Sequence, residues 1–222
     1  MHPYLLPLIS LFETHADPEQ AAPMKKYMRD QFEYLGIKSP QFKELMKQHI
    51  AAHGLPPADE LDSIARELWS LPQREFQYAA TSLIGRMEKK LPKGFAPTFE
   101  HLITHKSWWD TVDTLAGNPV GVHFQRFPDV SEKFLAKWRK SDNFWLRRTC
   151  ILFQLNYNEE TDFDLLCEIV RENLGSKEFF INKAIGWALR QYARTDPKAV
   201  KKFVKTTDLH PLSRREAMKH LE

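Results

Sequence analysis

Apolar positions recur every three or four residues along nearly the whole chain, the spacing of one buried helix face. Residues 2–15 carry this pattern, and Asp17-Pro18 supplies a capping side chain followed by proline at a first helical position. The period then predicts Lys25–Tyr34, with Tyr27, Met28 and Phe32 inside it and Gly36 ending it. Ser39-Pro40 opens the next helix and His53-Gly54 closes it. Pro56-Pro57 precedes Ile64 and Leu68, and Leu71-Pro72 breaks that segment before Arg74–Lys90, where Phe76, Ala80, Leu83 and Met87 recur. Further helices are predicted over Phe95–Thr104, Trp108–Gly117, Pro128–Lys140, Phe144–Asn156, Phe163–Leu174, Phe179–Arg194, Pro197–Val204 and Leu212–Leu221. No run of any length alternates apolar and polar positions as a half-buried strand does. The fold class is all-α.

Proline or a small capping residue arrives every roughly 15–20 residues, so that a helix pair fills the length of a HEAT-like repeat. The expected architecture is one HEAT-like helical-repeat domain over 1–222, an alpha-alpha superhelix (solenoid) with a concave face. Stacked helix pairs curve in this way and cradle an elongated partner. A compact helical bundle accounts for the same punctuation.

The stretch SWWDTVDTLAGNPVG, from Ser107 to Gly121, organises the reading of chemistry. Ser107 and Asp110 form an S-x-x-D capping box, which starts a helix at Trp108. Trp108, Val112 and Leu115 then read as the core stripe, while Trp109 and Asp113, at i and i+4, share a different face. Ala116 and Gly117 leave space one turn beyond, and Asn118-Pro119 ends the helix. An indole beside a carboxylate suits something cationic. An exposed Trp covering a solvated Asp accounts for the spacing equally well.

Composition narrows the class. The 222 residues include 12% aromatic and 27% charged residues and only 8 glycines, an ordered chain able to bury a full core. Cys150 and Cys167, 17 positions apart within helical patterns, make neither a zinc spacing nor a disulfide framework. They read as buried small hydrophobes in a reducing cytoplasm. MHPYLLPLISLF is short, interrupted by prolines and without a basic lead, so neither a signal peptide nor a membrane span is expected there.

The net charge of +3 is unevenly spread. Residues 1–24 hold Glu13, Asp17 and Glu19 and no Lys or Arg, whereas residues 190–222 hold nine Lys or Arg against four acidic residues. Within FFINKAIGWALRQYAR, Ile181, Ile185, Ala188 and Tyr192 form an apolar stripe, and Lys183, Trp187, Arg190 and Arg194 fall on another face. Cations around an indole fit phosphates and a sugar or base. The same stripe is also what a half-buried Trp shielded by Lys and Arg stems produces. Gly186 beside Trp187 admits a close approach. Arg147-Arg148 sits in the otherwise apolar FWLRRTCILFQL, so one of the pair turns toward the core and needs an anion, either an Asp of this chain or a phosphate.

SWWDTVD, SDNFWLRRTCILFQL and SKEFFINKAIGWALRQYAR resemble the DNA alkylation repair family, the AlkD-like HEAT-repeat alkylpurine DNA glycosylases. The opening MHPYLLPLISLFETHADPEQAAPMKKYMRDQFEYLGI, the middle RELWSLPQREFQ and the close PLSRREAMKH are similar to it as well, so the likeness spans the chain. The resemblance implies hydrolysis of the glycosidic bond of purines alkylated at ring nitrogen 3 or 7 in duplex DNA, a step of base excision repair. It implies Asp113 as the catalytic carboxylate, Trp109 and Trp187 as the cleft tryptophans, and Arg148 as a DNA contact. Lys183, Arg190 and Arg194 join Arg148 on phosphates, with Tyr27 of the opening stretch as a further DNA-binding residue. It implies capture on an open cleft rather than in a deep base pocket, and a terminal helix after HPLSRREAMKHLE shorter than the family's. The partner expected is double-stranded DNA containing alkylated bases, bound by a monomer in a bacterial cytoplasm, at the nucleoid and away from any membrane.

The chemistry agrees with a single carboxylate. A purine alkylated on the ring is cationic and departs neutral, so the second carboxylate of ordinary glycoside hydrolysis has nothing to protonate. Neither cofactor nor metal is expected. H-E-x-x-H, a GK[ST] phosphate loop and G-x-S-x-G are missing, and His101 with His105 lacks a third ligand. Two rival readings are a protein-binding HEAT-repeat scaffold and a non-catalytic binder of DNA structure.

Overall fold

The computed structural model describes residues 1–221, which form two compact units, Met1–Thr98 and the residues from Phe99 onward. In the first unit the helices are α1 (Leu5–Thr14), α2 (Pro18–Tyr27), α3 (Ser39–His53), α4 (Leu61–Ser70) and α5 (Arg74–Met87). α6 (Ala96–Thr104) carries the boundary between the units. The described residues hold no strand, only an isolated bridge between Glu33 and Gln73, and the all-α class stands.

Sequence punctuation works as its chemistry requires in most of this unit. The Asp17 carboxylate accepts from the backbone N–H groups of Glu19 and Gln20 at 3.0 and 3.2 Å, with Pro18 in the first turn. Gly54 closes α3 at a φ of 73°, and Leu71 takes the extended backbone that a following proline demands. The predicted helix Lys25–Tyr34 is different: α2 stops at Tyr27. Arg29 and Asp30 both adopt left-handed φ values, 55° and 58°, which a right-handed helix does not accommodate.

The stretch after that turn is tied down by a buried carboxylate. Glu75, 0% exposed, accepts three successive backbone N–H groups, from Leu35 at 3.0 Å, Gly36 at 2.9 Å and Ile37 at 3.1 Å. Its neighbour Arg74 is equally buried, with its guanidinium 3.7 Å from the Phe32 ring centroid and its N–H on the Glu33 carbonyl. RELWSLPQREFQ is thus an internal fastening. Leu5, Leu8, Phe12, Met46, Ile64, Leu68 and Leu83 fill the core beside it at helical spacing.

The second unit continues with α7 (Trp109–Leu115), a widened π-helical turn (Ala116–Val120), α8 (Gly121–Arg126), α9 (Pro128–Trp138), α10 (Phe144–Leu152), α11 (Phe163–Glu172), α12 (Phe179–Tyr192), α13 (Pro197–Thr206) and α14 (Pro211–Met218). α7, α10, α12 and α14 pack in succession, each on the next. α9 and α11 pack on α10, and α13 on α12 and α14. Asp113, Trp109, Arg148, Lys183, Trp187 and Arg190 lie on that row of helices, and Arg194 follows the end of α12. Glu100 joins α6 to α9, accepting from Trp138 Nε1 at 2.8 Å and Lys137 Nζ at 2.6 Å. Cys150 and Cys167 are both buried free thiols. Among the described residues no helix is long and apolar enough to cross a membrane.

Glu75→Ala should lower the stability of the first unit by about 3–5 kcal/mol, because three buried N–H groups lose their acceptor together. Urea unfolding measures this. Glu75→Gln, which keeps one acceptor oxygen, should recover part of the loss.

Candidate functional site

The site is built on α7, whose start differs from the predicted capping box. Ser107 Oγ donates to the Ile103 carbonyl at 2.6 Å, closing the preceding helix, and no side chain caps α7. Trp108 is the N-cap, in extended backbone at φ −157° and ψ 162°, and the helix begins at Trp109. Trp108 was expected in the core and Trp109 in the open. Both are half-buried, while Val112 and Leu115 are fully buried. The Trp108 ring lies 5.2 Å from Phe180 and 6.0 Å from Trp145, between α7 and the helices packed beside it.

The end of α7 also differs. Asn118-Pro119 does not stop the chain: the backbone widens into the π turn, which tolerates the N–H that Pro119 lacks, and runs on into α8. Ala116 and Gly117 leave no open space. Both are buried, a Cβ on Gly117 would rest 3.5 Å from Leu155, and the Gly117 carbonyl accepts from Asn156 Nδ2 at 2.8 Å.

Asp113 sits in the middle of α7, and its carboxylate meets the fork of Arg148 from α10. Nε to Oδ1 is 2.7 Å and Nη2 to Oδ2 is 2.8 Å, a two-point pairing. Arg148 is 3% exposed, and its Nη1 donates to the Phe180 carbonyl at the start of α12. The sequence left its anion open between an aspartate and a phosphate. The structure selects Asp113. Arg148 is therefore not the exposed phosphate contact expected of it, because its fork is buried and spent on the carboxylate. Asp113 itself keeps 15% of its side chain exposed. Burial pushes its pKa above the ordinary aspartate value, and the Arg148 hydrogen bonds and charge oppose that rise.

The cations of α12 are also engaged. Glu216 of α14 accepts from Lys183 Nζ at 2.8 Å and from Arg190 Nη1 at 2.5 Å, and these two donors hold its carboxyl below the usual range. Trp187, half-buried, lies on α12 between them in sequence, and Arg194 is exposed beyond. The close approach that Gly186 permits is made by α14: a Cβ there would lie 2.5 Å from Glu216 Cβ and 2.9 Å from the Ser213 carbonyl. Tyr27 is 72% exposed at the end of α2, in the first unit. The structure thus joins Asp113 to Arg148, and Lys183 to Arg190.

Residues 8–221 match the family model described as DNA alkylation repair enzyme. The chain belongs to that family. It is similar to a solved structure described as a predicted DNA alkylation repair enzyme from Enterococcus faecalis, with 33% identity and a TM-score of 0.85 over 93% of this chain and 96% of that one. The Streptococcus mutans UA159 protein smu.31 shares the fold, with a TM-score of 0.62 at 16% identity over 90% of this chain and all of that one. No curated protein matches the chain.

Two partners in these clusters were not singled out from the sequence. Phe180 contributes a backbone carbonyl and a ring 5.7 Å from the Arg148 guanidinium, roles that its apolar identity does not announce. Glu216 did leave a signal, as the lone acidic residue between Leu209 and Leu221 in a basic stretch. Gly186→Ala should test how firmly α14 seats there. The added methyl has no room against the Ser213 backbone, so stability should fall by about 1–3 kcal/mol in urea unfolding.

Proposed function

We propose that the protein is a DNA glycosylase that excises positively charged purines, alkylated at ring nitrogen 3 or 7, from duplex DNA by hydrolysis of the N-glycosyl bond. The observation that carries this reading is the Asp113 carboxylate, pinned at two points by Arg148 on a side chain that stays 15% exposed, one turn from Trp109. A HEAT-like concave face presenting that carboxylate, with Trp109 and Trp187 against the deoxyribose and the cationic base, completes the proposal.

The chemistry follows from the lone pairs. Arg148 occupies one on each carboxylate oxygen, and in this proposal the others face outward, where the side chain keeps 15% of its surface. As the C1′–N bond breaks, its electrons stay with the purine, which leaves neutral, and positive charge builds on the sugar. The outward edge of Asp113 stabilises that charge in surroundings of low dielectric and orients a water for attack at C1′. The water's proton then passes by way of the carboxylate to solvent, balancing the reaction without a general acid. Arg148, Lys183 and Arg190 hold the scaffold in register, and Arg194 and Tyr27 meet DNA directly.

Asp113→Asn should slow single-turnover excision from methylated duplex by about 10²–10³-fold, the size expected when one preorganised electrostatic group is removed. Binding to the same duplex should change little. The variant also leaves Arg148 with a neutral partner, so a stability loss of about 1–3 kcal/mol should accompany it, monitored by circular dichroism at the assay temperature. Asp110→Asn should leave excision intact. Equal excision by the two variants would make Asp113 structural. Duplex binding without any excision by the unmodified protein would select the non-catalytic binder.

A second measurement is the acid limb of excision against pH. Only the carboxylate form is active, and burial raises its pKa, so the rate should halve at a pH above the ordinary 3.8. The stability sign is opposite in sense. With the folded pKa above the unfolded one, the folded protein binds the extra proton, and Asp113's contribution to stability declines as pH rises through that window. An acid limb at or below 3.8, in protein still folded by circular dichroism, would contradict the assignment.

A further inference from the structure

α14 has two working faces, and the site above uses only one. Gly186 and Glu216 seat the first against α12. The second turns toward α13 and, with it, lines an open cleft of about 580 Å³. Lys201 and Lys205 stand on the α13 wall, and Arg214 and Arg215 on the α14 wall, all four exposed. Among the described residues no carboxylate lines the cleft, and Val204, Pro211 and Met218 give it an apolar part.

We propose that this cleft is a second phosphate-binding site, which takes the phosphodiester backbone of the DNA duplex away from the Asp113 centre. It rests on the DNA reading given above and adds a contact that excision itself does not require. Three features point to a chain of phosphates. The charge is linear: Lys201 and Lys205 lie one helical turn apart, about 5–6 Å between Cβ atoms, facing a pair of arginines. Among the described residues no carboxylate pairs with these four cations, in contrast to Lys183 and Arg190, which share Glu216. One of the four is already held in place, since Arg214 Nη2 donates to the Thr207 carbonyl at 3.0 Å and its other nitrogens stay free to point into the cleft. A pre-oriented arginine beside mobile lysines grips phosphate without base contacts, so the site adds affinity and no sequence preference.

The test uses the full chain, undamaged duplex and the double substitution Lys201→Ala with Lys205→Ala. Affinity is measured across a salt series, and single-turnover excision is followed in parallel on methylated duplex at saturating protein. Each phosphate contact removed should make the log–log salt dependence shallower by about 0.9, so the double variant should lose about 1.8, with saturated excision unchanged. Lys89→Ala with Lys90→Ala, which removes the same formal charge from the first unit, serves as the control. An unchanged slope in the cleft variant, or an equal change in the control, would overturn the site. So would displacement of duplex from wild-type protein, but not from the cleft variant, by an equal charge of poly-glutamate, since the cleft would then be an acidic-protein surface. Failure of the glycosylase reading looks different: wild-type protein binds duplex with a steep salt slope, excises nothing, and still loses slope in the cleft variant. That outcome supports the cleft.

Discussion

Arg148 is a full positive charge placed where only 3% of the residue meets solvent, and much of the second unit is arranged to permit it. Burying an unpaired guanidinium costs several kcal/mol even after relaxation, so the charge persists only with its partners in place. Asp113 meets two of its nitrogens from α7, and the Phe180 carbonyl meets the third from α12. A single side chain of α10 therefore fixes three helices in register. The Phe180 ring lies 5.7 Å from the guanidinium and packs in an aromatic cluster with Trp108, Trp145 and Phe144.

A second fastening follows the same logic one helix further on. α14 comes close enough to α12 to touch its backbone only because position 186 lacks a Cβ. Ser213 Oγ then donates to the Asn182 carbonyl at 2.7 Å, and Glu216 collects Lys183 and Arg190. The two cations flanking Trp187 are thus fixed by a carboxylate in the folded protein. Under the proposed function, a phosphate arriving there competes with Glu216 for donors already spoken for. Arg194 and the cations of the α13–α14 cleft, which have no carboxylate partner among the described residues, meet no such competition.

How much of this was legible depends on whether a signal is local. The helices were, because a 3.6-residue period and the Asp17-Pro18, Gly54 and Leu71-Pro72 punctuation act through neighbours in sequence. The region from Met28 to Ile37 was not, because its anchor is Glu75, about 40 positions away. Ser107 misled for a related reason: its hydroxyl had two carbonyl and amide choices, and the one behind it, Ile103, won. Pro119 lies inside a continuing helical path because a π turn there is clamped by Asn156 and Tyr157 from beyond α10. Asp113, Trp109 and Trp187 were singled out from the resemblance, their spacing alone leaving a structural role equally open. That Asp113 and Arg148 answer one another is a fact of packing, and spacing could state only that Arg148 needed some anion.

Under the proposed function, the pairing bears on which kind of catalyst Asp113 would be. The Arg148 fork stabilises the charged form of Asp113, while burial, the larger effect, favours the proton and raises its pKa. With both at work, the group's strongest asset is a fixed negative charge in a place where little solvent screens it. Ordinary glycoside hydrolysis cannot run on that asset alone, because its leaving group must also be protonated. A purine that is already cationic removes that requirement, and what remains is charge stabilisation at C1′ and the orientation of one water. The arginine that makes Asp113 unsuited to the general reaction is thus compatible with the special one. Selectivity for cationic bases then needs no deep pocket: a neutral purine at the same edge would lack the departing charge on which the single carboxylate depends.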